Sequence, residues 1–256
     1  TYCCLNCRRE MLRVEFPFFR KWVMPAACGC VVARMEQERL EMERKNRRAA
    51  MERSYKGSIM SERLKRVSFE NFQLRKGTEN VFHEAKRFAD QFETIEQGLF
   101  LYGGVGNGKS HLAAAIHHDL ERRGYVCLFL DVAQLFNLAK GTFKSSSKVS
   151  LTDIINAAVD CDLLTLDEIG SGYLTETEFN DILFPIINGR SGKLTNYTSN
   201  LNLKRLKNWF AAGKNGEPLD TDGRLLDRIL GSCNIHENLG SSKRQEDAIR
   251  RMEDSA

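Results

Sequence analysis

The chain has no run of the roughly 18 consecutive apolar residues that a membrane helix needs. Its start carries no secretory pattern: it is cysteine-rich and soon charged, so no signal peptide is expected. No internal repeat is evident. Charge is not dominated by one sign; the formal net charge is +4, which permits nucleic-acid contact without arguing for it. Positions 31–56 contain neither glycine nor proline. A hydrophobic content of 42% over 256 residues is enough for one large domain, or one domain with a small appendage. These features predict a cytoplasmic protein in a reducing compartment.

Cysteine is present but unevenly placed. Five of the eight lie near the start: Cys3, Cys4, Cys7, Cys28 and Cys30. Cys127 and Cys161 sit in or beside apolar, strand-like runs and read as ordinary buried thiols. In a reducing compartment, clustered cysteines favour metal over disulfides. Cys4-Leu-Asn-Cys7 and Cys28-Gly-Cys30 supply four thiolates, a complete tetrahedral zinc shell, and they frame a module over 1–33. So small a unit needs a metal to fold. Four cysteines leave no open position, so the zinc would be structural. Cys3 could replace Cys4 as a ligand. Between the pairs, Phe16-Pro-Phe-Phe19 and Trp22 read either as a mini-core around the metal or as a docking surface for a partner.

From 34 to 66 helix formers dominate. Glu and Arg or Lys recur three and four apart, the pattern of a solvated helical linker. Arg44-Lys45 and Arg47-Arg48 fit a solvated charged face better than a phosphate contact. Over 67–256 strands and helices alternate. Strands are expected at Gly98–Tyr102, Val126–Asp131, Asp162–Asp167 and Leu194–Ser199. Helices are expected near 79–92, 109–123, 132–140, 151–158 and 176–188. That alternation implies an α/β fold, a parallel sheet with helices on both faces. Residues 203–256 read as helical, interrupted at Gly213-Lys-Asn-Gly216.

The first strand runs into Gly103-Gly104-Val105-Gly106-Asn107-Gly108-Lys109-Ser110-His111. The pattern G-x-x-x-x-G-K-S between a strand and a helix is a phosphate-binding loop. Glycines let backbone N–H groups approach phosphate oxygens and tolerate positive φ. The helix that follows aims its positive end at the same oxygens. Lys109 would face the β and γ phosphates, and Ser110 would bind magnesium. The apolar run Cys161–Leu166 delivers Asp167 and Glu168 to a strand tip, where one acid can hold magnesium and the other can activate water. Asn200 closes the strand after Leu194 and could hold that water. Arg224 and Arg228, four apart on one helix face, offer a guanidinium for the γ-phosphate, possibly from a neighbouring subunit.

These motifs resemble the AAA+ ATPases of the bacterial and phage replicative helicase loader family, related to DnaC and DnaI. The resemblance rests on the phosphate loop, the Leu-Asp-Glu strand end, Thr198-Ser-Asn200, Gly223-Arg-Leu-Leu-Asp-Arg228, Ser68-Phe-Glu-Asn-Phe72 and Arg190. It covers about 60–240, and the cysteine module followed by a charged helix is similar too. It implies ATP and Mg2+ as ligands, Zn2+ in the module, and a hexameric replicative helicase and single-stranded DNA as partners. It implies Glu168, Asn200 and Arg228 as catalytic residues, Arg228 acting by self-association through the ATP site. Lys140, Phe143 and Lys144 correspond to a DNA-contacting insertion, with Tyr173–Phe179 as a second candidate. Ser241-Ser-Lys-Arg244 lacks the aromatic that precedes the family's second-sensor arginine, so Arg244 receives no such role. A transposition helper ATPase (IstB-like) acting on duplex DNA has a similar core, and a phage helicase-binding inhibitor is a further alternative.

Overall fold

The computed structural model describes residues 2–11, 13–15, 23–25, 28–55, 60–143 and 147–254. The chain divides into two compact units, Thr1–Asn46 and Arg47–Ala256.

In the first unit, strand β1 (Tyr2–Cys3) pairs antiparallel with β2 (Glu10–Met11). The turn between them carries Cys4 and Cys7. Arg8 N donates to the Cys4 carbonyl at 2.8 Å and Cys4 N to the Arg9 carbonyl at 2.9 Å, which folds this turn back on itself. Strands β3 (Arg13–Glu15) and β4 (Val23–Pro25) form a second antiparallel pair. Cys28 leads into α1 (Gly29–Tyr55), a helix of 27 residues. The predicted charge spacing is used along it: Arg39 pairs with both Glu36 and Glu43, and Arg34 with Glu38. The aromatic run at Phe16–Phe19 and Trp22 lies outside the described residues.

The end of α1 belongs to the second unit and is anchored there. Arg47 donates to Asp162 Oδ1 at 2.6 Å and to the Asp160 carbonyl at 3.1 Å. Arg48 reaches the Tyr125 carbonyl at 3.4 Å, and the Tyr55 hydroxyl donates to the Ile154 carbonyl at 2.6 Å. Arg47 is therefore a fastening, while Arg48 remains exposed on the expected solvated face. Sequence periodicity could not reveal acceptors lying more than seventy residues away.

The second unit continues with α2 (Glu79–Asp90), β5 (Gly98–Gly103), α3 (Lys109–Arg122), β6 (Cys127–Asp131), α4 (Val132–Thr142) and α5 (Leu151–Asp160). Then come β7 (Leu163–Asp167), a π-helical turn (Glu178–Leu183) running into α6 (Phe184–Gly189), and β8 (Thr195–Ser199). Last are α7 (Leu203–Ala211), α8 (Arg224–Gly231), β9 (Cys233–Asn238) and α9 (Lys243–Glu253). The five strands form one parallel sheet in the order β6-β7-β8-β5-β9.

Alternate strand residues point to opposite faces and meet different helices. Leu99 and Leu101 join Phe88, Leu112 and Ile116 of α2 and α3. Phe100, Leu128, Leu164 and Leu166 join Leu135, Ile154 and Ile186 of α4, α5 and α6. Helices thus cover both faces, as the alternation predicts. One element departs from expectation: β9 lies in a region read as helical. It is an edge strand of sequence Cys-Asn-Ile-His-Glu-Asn, buried only at its two ends. An edge strand needs little apolar content, so hydrophobic pattern gave no signal; its pairing to β5 from Gly98↔Cys233 to Gly103↔Asn238 makes it a strand.

Candidate nucleotide site

Parallel register brings the C-terminal tips of four strands together. Asp131 of β6 stands opposite Asp167 of β7, and Tyr102 of β5 opposite Ser199 of β8. Ligands sit at this edge of open α/β sheets. The cleft there is lined by Gly106 to His111, Asp131, Asp167, Glu168, Asn200 and Arg244, and on its other side by Ser61, Arg63 and Leu64.

The phosphate loop is built as its glycines require. Gly106 and Gly108 have φ of 76° and 104°, where a side chain is strained. Space is also closed: a Cβ on Gly108 would sit 2.7 Å from the Phe72 ring, and one on Gly106 2.3 Å from Ser242 Oγ. Gly104 differs, since a Cβ there would meet nothing within 4 Å. The Lys109 ammonium donates to the Gly103 carbonyl at 3.0 Å, the Gly104 carbonyl at 2.7 Å and Asn107 Oδ1 at 3.1 Å. Lys109 is only 5% exposed, and burial pulls its ammonium down to about 8 against the opposing charges of Asp167 and Glu168. His111 turns away from the loop: its imidazole hydrogen-bonds the Ser68 carbonyl at 2.9 Å and stands edge-on to Phe72. Val105 is exposed.

The acidic strand tip is locked by Thr198, to which its sequence motif alone assigns no role. Its hydroxyl donates to Asp167 Oδ1 and accepts from Glu168 N at 3.0 Å. Glu168 adopts φ of 60°, an unusual conformation for a residue with a side chain. Ser199 Oγ donates to the Ile169 carbonyl at 2.6 Å. The Thr-Ser pair therefore fastens β8 to the end of β7, while Asn200 remains exposed at the cleft. Asp167 is 4% exposed; burial pushes its carboxyl up to about 6, opposed by hydrogen bonds from Thr198 and Ser110. A buried carboxylate beside a serine hydroxyl is a hard-oxygen donor pair suited to magnesium.

Not every expected residue lies in this cleft. Arg228 is exposed on α8 and pairs with Asn188, away from the phosphate loop of its own chain. Arg244 does line the cleft, although its sequence context assigns it no role; Ser242 caps the start of α9, and its neighbour Lys243 N donates to the Gly106 carbonyl at 3.0 Å. Arg190 is 3% exposed and donates to Thr195 Oγ1 and the carbonyls of Ala158, Val159 and Cys161. It ties α6, α5 and β8 together rather than entering the site. Phe143 is 63% exposed, so it is not a core residue. Lys140 donates to Glu178 Oε1 at 2.7 Å, and Lys144 lies outside the described residues. Tyr173 is also exposed.

Within the first unit, Cys4, Cys7, Cys28 and Cys30 converge, with their sulfurs within 4.8 Å of one another. Cys4–Cys30 is 3.5 Å, Cys7–Cys28 3.4 Å and Cys28–Cys30 3.5 Å. Four sulfurs about 2.3 Å from a zinc ion stand ~3.8 Å apart, so the donor set fits the metal. Cys3 is exposed and outside this group, which leaves Cys4 as the fourth donor. The backbone N–H groups of Cys7 and Asn6 draw the Cys4 thiol down, while hydrogen bonds with Cys28, Cys7 and Cys4 hold the Cys30 thiol up.

The family model for IstB-like ATP-binding proteins matches residues 32–250. The chain belongs to this family. The replicative helicase loader DnaC of Buchnera aphidicola subsp. Schizaphis graminum (strain Sg) is 33% identical over 180 residues, 68% of this chain and 72% of that protein. DnaC of Escherichia coli (strain K12) is 32% identical over 163 residues, 60% of this chain and 65% of its own length. A crystal structure of DnaI superposes with a TM-score of 0.59 at 23% identity, covering 73% of this chain and 95% of that one. That likeness shows a shared fold. Family membership makes ATP a ligand of this chain, and the glycine cradle and the buried Asp167–Ser110 pair of the cleft have the chemistry to hold it with magnesium. Among the described residues, no helix is long and apolar enough to cross a membrane.

Proposed function

We propose that this protein is an ATP-dependent loader that places a hexameric replicative helicase on single-stranded DNA at the start of replication. The observation that carries this reading is the 33% identity to a DnaC loader over 180 residues, 68% of this chain. In this reading Lys109 and the N–H groups from Gly103 to His111 hold the phosphates, while Ser110 and Asp167 hold magnesium. Magnesium, when bound, neutralises phosphate charge. Glu168 accepts a proton from the attacking water, and Asn200 orients that water. Arg228 does not line the cleft of its own chain, so it acts on the ATP of an adjoining copy, and the catalytic site is completed by self-association. Hydrolysis ends the loading state rather than driving rapid turnover.

The chain is organised here as a cysteine module over 1–33 holding zinc and gripping the helicase, a charged linker over 34–66 and an ATPase domain over 67–256. Single-stranded DNA would meet the exposed Phe143 by stacking and lysines by charge. Lys140 would first have to leave Glu178. A loader of the replicative helicase works in the cytoplasm.

The test mixes the protein with its host's replicative helicase, ATP and magnesium and measures mass by light scattering on a sizing column. A stable complex that is lost when residues 1–56 are removed is expected. Absence of a complex together with tight binding to duplex DNA would overturn the reading in favour of a transposition helper. Lys109→Ala is expected to abolish loading, and a variant that still loads normally would remove ATP from the mechanism.

A further inference from the structure

At the opposite end of α3 from the phosphate loop, three side chains converge that the nucleotide site does not use. His117 Nε2 is 3.2 Å from Glu121 Oε2, and His118 Nδ1 is 3.8 Å from the same oxygen. The three donor atoms lie within 4.8 Å of one another. Helical geometry explains why. With about 100° per residue, Glu121 lies between His117 and His118 around the axis and one turn on. Ligand atoms on one zinc-sized ion stand roughly 3–3.5 Å apart, so small side-chain adjustments bring all three onto a common ion.

The surroundings match those of a metal-binding histidine pair. His118 uses its other nitrogen, Nε2, to hydrogen-bond the Leu64 carbonyl at 2.9 Å. A backbone carbonyl on the far ring nitrogen fixes the tautomer and raises the basicity of the ligating one. His117 is 1% exposed and its ring stands edge-on to Phe129 at 6.1 Å, so its orientation is set by packing. Glu121 is partly exposed, with 41% of its side chain accessible, and His118 retains 25%. Solvent can reach the cluster and complete a coordination shell. The adjacent cations have their own partners: Arg122 is paired with Asp119, and Arg123 with Asp119 and Glu93.

We infer that His117, His118 and Glu121 form a second metal site, distinct from the cysteine module, for a divalent transition ion of the zinc, nickel or cobalt class. Two imidazoles and one carboxylate are the donor set that such borderline ions prefer, whereas magnesium and calcium take oxygen ligands. Leu64 and Phe129, which contact the two imidazoles, also line the nucleotide cleft. An ion here would stiffen one wall of that cleft.

Equilibrium dialysis of the full chain against low-micromolar Zn2+, followed by metal analysis, tests the inference. Two zinc ions per chain are expected. Cys28→Ser should remove one, and the pair His118→Gln with Glu121→Gln should remove the other, leaving the thiolate-bound ion in place. Glu121→Gln alone is expected to weaken the second ion by about tenfold or more. Buried His117 is left intact, and an unchanged melting temperature in metal-free buffer checks that the double variant folds. Co2+ gives a second readout: thiolate charge-transfer bands report the cysteine module, and their persistence in the double variant separates the two sites. A wild-type chain whose only zinc is removed by Cys28→Ser overturns the inference. So does a second zinc that survives the double substitution.

Discussion

Asn107 of the phosphate loop and Asn238 at the end of β9 hold each other through two buried hydrogen bonds. Asn107 Nδ2 donates to the Asn238 carbonyl at 2.8 Å, and Asn238 Nδ2 donates back to the Asn107 carbonyl at 3.2 Å. Asn107 Oδ1 in turn accepts from Lys109, and Arg75 adds a bond to the Asn107 carbonyl at 3.1 Å and one to the Ser241 carbonyl at 2.7 Å. The loop that cradles phosphate is thus tied to the segment that opens α9. Asn238→Ala keeps the backbone carbonyl that holds the Asn107 amide but removes the donor to the Asn107 carbonyl and the Oδ1 that accepts from Gly240 N, at a cost of about 1–3 kcal/mol. A melting temperature several degrees lower and weaker binding of a fluorescent ATP analogue are expected. An unchanged melting curve would show that the pair adds no stability.

Asp167 should be worth more to the ligand than to the fold. Its carboxyl is raised to about 6 by burial, so the folded chain binds a proton there more tightly than the unfolded chain. The sign follows: this group's contribution falls as pH rises from the ordinary carboxylate value through about 6 and stays unfavourable above it. Asp167→Asn should therefore raise the melting temperature at pH 7 to 8, by the equivalent of about 1–3 kcal/mol, while eliminating magnesium-dependent hydrolysis. A melting temperature that falls instead would mean the carboxylate stabilises the strand tip.

Affinity for magnesium–ATP should have a pH window. Asp167 loses its charge as pH falls through about 6. The Lys109 ammonium, held down to about 8 by burial, loses its charge as pH rises through that value unless phosphate restores it. Binding above about pH 8 should accordingly take up a proton. Calorimetry in buffers of different ionisation enthalpy measures that uptake directly, and an uptake of zero at pH 8.5 would contradict the lowered lysine.

Arg228→Ala should leave ATP binding within about twofold, since the side chain lies outside the cleft of its own chain, yet reduce hydrolysis by 10-fold or more if it serves a neighbour. Mixing that variant with Glu168→Gln, which keeps a normal arginine, should restore part of the activity at their shared interface. No restoration at any ratio would confine the defect to one subunit.

Removal of zinc from the cysteine module should abolish helicase binding and spare the ATPase domain. Replacing a ligand by Cys28→Ser, a treatment that leaves magnesium and the His117–His118–Glu121 group in place, is expected to release the thiolate-held ion with no change in nucleotide affinity. Loss of nucleotide binding on the same treatment would tie the module to the fold of the second unit.

Much of this protein was legible in sequence because its strongest signals are local. A strand, a glycine-rich turn and a helix form from adjacent residues, and Gly103–Ser110 announces them without reference to anything distant. The acidic tip at Asp167-Glu168 and the two cysteine pairs are equally short-range patterns. Tertiary structure decided what depends on pairing across the chain. β9 is a strand because β5 offers it a ladder, although its own residues carry no apolar alternation. Thr198 locks Asp167 and Glu168 from another strand. Arg47 and Arg190 became fastenings through carbonyls and carboxylates that folding brought to them. Arg244 reached the cleft only because Asn107, Asn238 and Lys243 dock the last helix against the phosphate loop. Local propensity and motif set the chemistry. Hydrogen-bond partners far apart in sequence, which must be satisfied once buried, set where that chemistry is held.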